Sequence, residues 1–66
     1  MTLKEAMNAQ MRDPSKRIIR EPNNGYHCIS TWFYVKDGVL MVRGYLKDDG
    51  VAPFQESEHT DWILID

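Results

Sequence analysis

The dipeptide Asp37-Gly38 separates two runs of alternating, β-prone residues, Tyr26–Val35 and Val39–Leu46. Asp-Gly tolerates the positive φ angles that a tight hairpin turn demands, so a central antiparallel hairpin is the constraint that every other segment must satisfy. Side chains alternate across a strand. The first strand therefore places Tyr26, Cys28, Ser30, Trp32 and Tyr34 on one face and His27, Ile29, Thr31, Phe33 and Val35 on the other. The returning strand sorts Leu40, Val42, Gly44 and Leu46 from Val39, Met41, Arg43 and Tyr45. The aliphatic sets Ile29/Phe33/Val35 and Leu40/Val42/Leu46 are expected to form the core face. That leaves Tyr26, Trp32, Tyr34, Met41, Arg43 and Tyr45 together on the opposite side, so this hairpin needs two covers.

One cover is a helix. Thr2-Leu-Lys-Glu5 has the form of a capping box, in which the Thr hydroxyl accepts from the N3 amide and the Glu reaches back. Leu3, Ala6, Met7, Gln10 and Met11 follow at helical spacing, and a Leu3/Met7/Met11 stripe is expected to dock on the sheet. Asp13-Pro14 stops the helix, because a residue before proline is pushed out of the α region. A helix of about ten residues is marginal on its own in water and forms only by docking.

Lys16–Glu21 reads as a short strand whose charged flanks suit an edge position. Pro22-Asn-Asn-Gly25 and Lys47-Asp-Asp-Gly50 are turns, and Val51–Phe54 is a brief strand weakened by Pro53. Gln55–Thr60 is a polar loop or a single helical turn, and Asp61–Asp66 is a closing strand. The expected fold is α+β: a single domain over residues 1–66, with one N-terminal amphipathic helix on a small, mainly antiparallel sheet of four to five strands.

A chain of 66 residues buries only about 60% of the surface its unfolded form exposes, and domains this small usually need a staple. The single cysteine, Cys28, cannot close an intramolecular disulfide, and the two histidines do not fall at metal-ligand spacing. Neither a metal nor another cofactor is expected, and a homo-oligomer is the expected supplement. The formal net charge of −2 argues against non-specific nucleic-acid binding, which requires a basic surface. No run resembles a signal peptide or a membrane span, so a cytoplasmic location is expected and no membrane partner.

Charge is nonetheless segregated. Lys4, Arg12, Lys16, Arg17 and Arg20 make the first twenty residues basic, whereas Asp48, Asp49, Glu56, Glu58, Asp61 and Asp66 leave the end of the chain acidic. This pattern is read either as two solvated faces or as complementary ends in an oligomer. Catalysis is not expected: His27 and Cys28 point to opposite faces, and Glu56, Glu58, His59 and Asp61 lack the spacing of a ligand set. Lys47-Asp48-Asp49-Gly50 lacks the ligand series of a calcium loop.

The aromatic face carries the functional argument. An exposed patch of several aromatics marks a binding surface, and Tyr, Trp, Met and Arg are enriched at interfaces. Aromatics around an arginine also suit a planar anionic small molecule. Three covers stay open: the C-terminal segment with Phe54 and Trp62, a second copy of the chain, or a ligand. The reading favours a second copy with a pocket at the seam, in which Tyr26, Met41 and Tyr45 contribute to a protein interface. A separate reading makes the acidic third, with Glu56, Glu58 and Asp61, the surface that inhibits a host or bacterial protein.

The order of segments also resembles the small phage-encoded Thoeris anti-defence proteins that sequester nucleotide signals, the second family of that name. Leu3-Lys-Glu5-Ala6-Met7 matches their opening helix and Lys16-Arg17-Ile-Ile-Arg20 their basic strand. Val51-Ala-Pro53-Phe54-Gln55 with Thr60-Asp61-Trp62 matches their ending. The resemblance implies a non-catalytic homo-oligomer whose inter-protomer pockets bind cyclic nucleotides or cyclic ADP-ribose-type signals, with Trp62 as the position carried over. Combined with the aromatic face, the expected ligand-binding residues are Trp32, Tyr34, Arg43 and Trp62.

Overall fold

The computed structural model describes residues 1–21, 31–44 and 49–66. Helix α1 (Leu3–Arg12) is followed by strands β1 (Arg17–Arg20), β2 (Thr31–Lys36), β3 (Val39–Gly44), β4 (Gly50–Val51) and β5 (Trp62–Ile65). The strands form one sheet in the order β4-β3-β2-β1-β5, and every pairing is antiparallel. The chain is thus an α+β fold, with α1 packed on a five-stranded antiparallel sheet. Among the described residues no helix is long and apolar enough to cross a membrane.

Local chemistry accounts for the elements. The capping box forms in full: the Glu5 amide donates to Thr2 Oγ1 at 3.1 Å, and the Thr2 amide donates to Glu5 Oε1 at 2.9 Å. The bond from the Thr2 amide favours the charged carboxylate and is the main cause that holds the Glu5 pKa below its ordinary value. At the hairpin, Lys36 pairs with Val39, and the intervening Asp37 and Gly38 take φ values of 53° and 75°. Two positive angles in succession are the type I′ turn that matches the twist of the strands. Residues 26–30, 45 and 46, which the sequence also assigns to the hairpin, lie outside the described residues, as do the two turn signals at 22–25 and 47–48.

Register decides which side chains meet the helix. Ile18 stands opposite Phe33 and Leu64, and Phe33 opposite Val42. These residues, with Val35 and Leu40, face α1. Leu3 and Ala6 of the helix join Ile18, Leu40, Ala52 and Trp62 in the core, and Phe33, Phe54, Leu64 and Met7 pack around them. Phe33, Phe54 and Trp62 form an aromatic triangle with centroids 5.5 to 6.1 Å apart, within the range of favourable ring pairs.

Three expectations are corrected here. β1 lies inside the sheet between β2 and β5, not at an edge. Its charged ends are accommodated because Lys16 and Arg20 both find partners on the closing segment. The helix buries Leu3, Ala6 and Gln10, whereas Met11 is 48% exposed. The contact stripe runs i, i+3, i+7 and leaves Met11 at its margin. Finally, the fourth strand is only Gly50–Val51, not Val51–Phe54, whereas Gln55–Thr60 is a loop, one of the two forms expected.

Gln10 has a structural reason to be buried. Its carboxamide accepts from the Val35 amide at 3.0 Å and donates to the Lys16 carbonyl at 3.3 Å. In the register of the Ile18/Phe33 pair, Lys16 falls opposite Val35 two residues further on, so the side chain stands in for one rung of the ladder. Gln55 does the same at β3. It accepts from the Leu40 amide at 2.8 Å and donates to the Leu40 carbonyl at 3.0 Å, just past the point where Pro53, lacking an amide, ends the β4 pairing.

Because an unpaired buried amide costs about 1–3 kcal/mol, Gln10→Met should destabilise the protein by that amount in urea unfolding although it keeps length and helix propensity. Met11→Ala, at an exposed position, should change stability by less than about 0.5 kcal/mol.

Candidate ligand-binding face

The face turned away from α1 is fixed by the same register. Trp32 pairs with Arg43 and Tyr34 with Met41 across β2 and β3, so these four residues share one face, as the alternation implies. Trp32, Tyr34 and Met41 are half-buried and Arg43 is exposed. On β1 and β5, Arg17 with Ile65 and Ile19 with Ile63 fall on the same side. The face therefore has an aromatic, cationic centre and an aliphatic flank.

Two guanidinium groups converge on the Trp32 indole. The Cζ atom of Arg17 lies 4.5 Å from the ring centroid and that of Arg43 lies 5.9 Å away, both within cation–π reach. Arg17 is the residue that the hairpin alone does not reveal. Its position follows only once β1 is known to pair with β2 in the Ile18/Phe33 register, and the sequence signal for that is the short Arg17-Ile-Ile-Arg20 run. Asp49 completes the cluster: it accepts from the Tyr34 hydroxyl at 2.7 Å and contacts Arg43 Nε at 3.3 Å. The hydrogen bond to Asp49 pushes the Tyr34 phenol above its ordinary pKa.

Trp62 does not join this site. It is 1% exposed, lies opposite Arg20 on the helix side of the sheet, and its indole Nε1 donates to Ser57 Oγ at 3.4 Å. Phe54 is on that side as well, so these two rings extend the main core and do not cover the aromatic face. Trp62 is thus a core residue, separated from Trp32, Tyr34 and Arg43 by the thickness of the sheet. Tyr26 and Tyr45 lie outside the described residues.

The acidic surface is divided too. Glu56 and Glu58 are exposed, but Asp61 forms a bidentate pair with Arg20, Nε to Oδ1 at 3.0 Å and Nη2 to Oδ2 at 2.8 Å. The Arg20 guanidinium also lies 5.9 Å from the Trp62 ring. A second ion pair joins Lys16 to Asp66. The basic beginning and acidic end of the sequence therefore meet within one chain along the β1/β5 seam. This differs from both readings of the charge segregation. Among the described residues no group of three or more His, Cys, Asp or Glu side chains is placed to hold a metal.

Comparison with protein-family models, with curated proteins and with solved structures gives no match.

The hydrogen bonds from Arg20 hold the Asp61 carboxyl below its ordinary pKa. A depressed folded value stabilises the protein above the unfolded carboxylate value, about 4, and that contribution disappears as pH falls through the folded value. Asp61→Asn should therefore melt below wild type at pH 7, and the gap in Tm should close progressively below about pH 4.

Proposed function

We propose that the chain is a non-catalytic binding protein that sequesters a cyclic nucleotide-type signal, in the manner of a small phage or prophage anti-defence protein. The observation that carries this reading is the pair of guanidinium groups, Arg17 and Arg43, gathered on the half-buried Trp32 on the sheet face away from the helix. An aromatic platform between cations binds a planar base by stacking, and the guanidiniums bind phosphate oxygens through charge-assisted hydrogen bonds. Segment order supports the anti-defence role through the resemblance to nucleotide-sequestering Thoeris inhibitors. In this reading Trp32 stacks on the base, Arg17 and Arg43 neutralise phosphate, Tyr34 supplies a hydroxyl, and Met41, Ile63 and Ile65, which are only half-buried, meet a second copy of the chain. Binding of a host protein through the acidic third is the weaker reading, because Asp61 is already engaged by Arg20.

Cyclic ADP-ribose and a cyclic dinucleotide, each at about a hundred times its Kd, should raise Tm by roughly 10 °C or more in a domain of this size. Trp32→Ala should abolish the shift while leaving the core intact. Absence of a shift with both ligands would remove the proposal. Trp62→Ala is unsuited to this test: loss of a buried tryptophan costs about 3–5 kcal/mol, a large part of the stability of a chain this small, and should leave it largely unfolded by circular dichroism.

A further inference from the structure

The Asp49 carboxylate occupies the point at which Tyr34 and Arg43 converge, one oxygen 2.7 Å from the Tyr34 hydroxyl and the other 3.3 Å from Arg43 Nε. We propose that Asp49 is an internal stand-in for the anionic group of the ligand, and that a ligand reaches Arg43 and Tyr34 by displacing it. The proposal rests on the nucleotide reading of this face and adds to it the residue that sets charge selectivity.

Three observations support it. A carboxylate offering one oxygen to a cation and the other to a phenol reproduces how two oxygens of a phosphate would be held by the same donors. Asp49 and Arg43 are both exposed, with side chains 45% and 58% accessible, so their contact is of the weak, solvent-screened kind that a multiply charged anion can replace. The third concerns Arg17. Among the described residues no carboxylate lies within 4 Å of its guanidinium, in contrast to Lys16, Arg20 and Arg43. Among the described residues, one cation on the Trp32 ring thus has no anionic partner while the other carries an internal anion. A phosphorylated ligand would engage Arg17 first and compete with Asp49 for Arg43 and Tyr34. A neutral nucleoside would stack on Trp32 without disturbing Asp49.

Binding of AMP and of adenosine, measured by calorimetry on wild type, Asp49→Asn, Arg43→Gln and the double variant, tests this. Asp49→Asn should bind AMP roughly tenfold more tightly than wild type, the scale of one hydrogen bond to a charged group, with adenosine affinity unchanged. The gain should vanish in the Arg43→Gln background. If wild type binds AMP and Asp49→Asn binds it no more tightly, the role of Asp49 is overturned and the nucleotide reading stands. The role of Asp49 is overturned equally if the gain persists without Arg43. If no variant binds AMP, the role of Asp49 is overturned, and the nucleotide reading is decided separately by the thermal shifts with the cyclic ligands.

Discussion

The backbone polar groups of a five-stranded sheet need partners that strands of two to six residues are too short to supply. Two glutamine carboxamides meet that need. Each presents an acceptor and a donor a little over two ångströms apart, the same pair of functions a peptide group offers. Gln10 uses them to join Lys16 to Val35, and Gln55 uses them to close on Leu40. The rest of the architecture follows from the first. A helix bonded to β2 and to the residue that leads into β1 has a fixed position over the sheet, so Leu3 and Ala6 can be fully buried against Ile18, Leu40 and Trp62. Among the described residues no buried side-chain polar atom is left without a partner, as expected where such groups are costly.

Electrostatics closes the structure at the other side of β1. Arg20 with Asp61 and Lys16 with Asp66 flank the β1/β5 ladder at its two ends. Exposed ion pairs contribute little individually. Here they add register information: a slip of one residue would exchange the faces of β5, sending Trp62 out of the core. The Arg20 guanidinium serves two partners, binding Asp61 in its plane and lying over the Trp62 ring. Part of the segregated charge of the sequence is therefore spent within this chain, on the β1/β5 seam, while Arg17 and Arg43 lie on the opposite face beside Trp32.

Much of the fold was legible because it rests on short-range chemistry. Thr2 and Glu5 declare the helix start, Asp13-Pro14 its end, and Asp37-Gly38 the hairpin. The alternation across that turn also placed Trp32, Tyr34, Met41 and Arg43 on one face. What was not legible depends on pairings between distant segments. The RIIR strand looks like an edge because its flanks are charged, and nothing local reveals that acids more than forty positions away neutralise them. Trp62 reads as a stacking residue until β5 is known to lie beside β1, which turns its ring beneath the sheet. Gln10 and Met11 are adjacent on a helix where hydropathy favours burying the methionine. Hydrogen-bond demand where the β1/β2 ladder runs out reverses the choice, and no pattern of apolar residues carries that information.

The neighbour relation of β1 and β5 has a consequence for how the molecule comes into being. β1 is made early, yet one of its two sides stays vacant until Trp62–Ile65 has been synthesised, some forty residues later. Until then the nascent chain can form α1 and the β2/β3 hairpin, but it exposes an unpaired strand and lacks the largest side chain of its core. Such edges are templates for pairing with other chains. The native sheet thus becomes accessible only once Trp62–Ile65 can take its place beside β1, which makes the pairing of two distant segments the step that commits the chain to its fold.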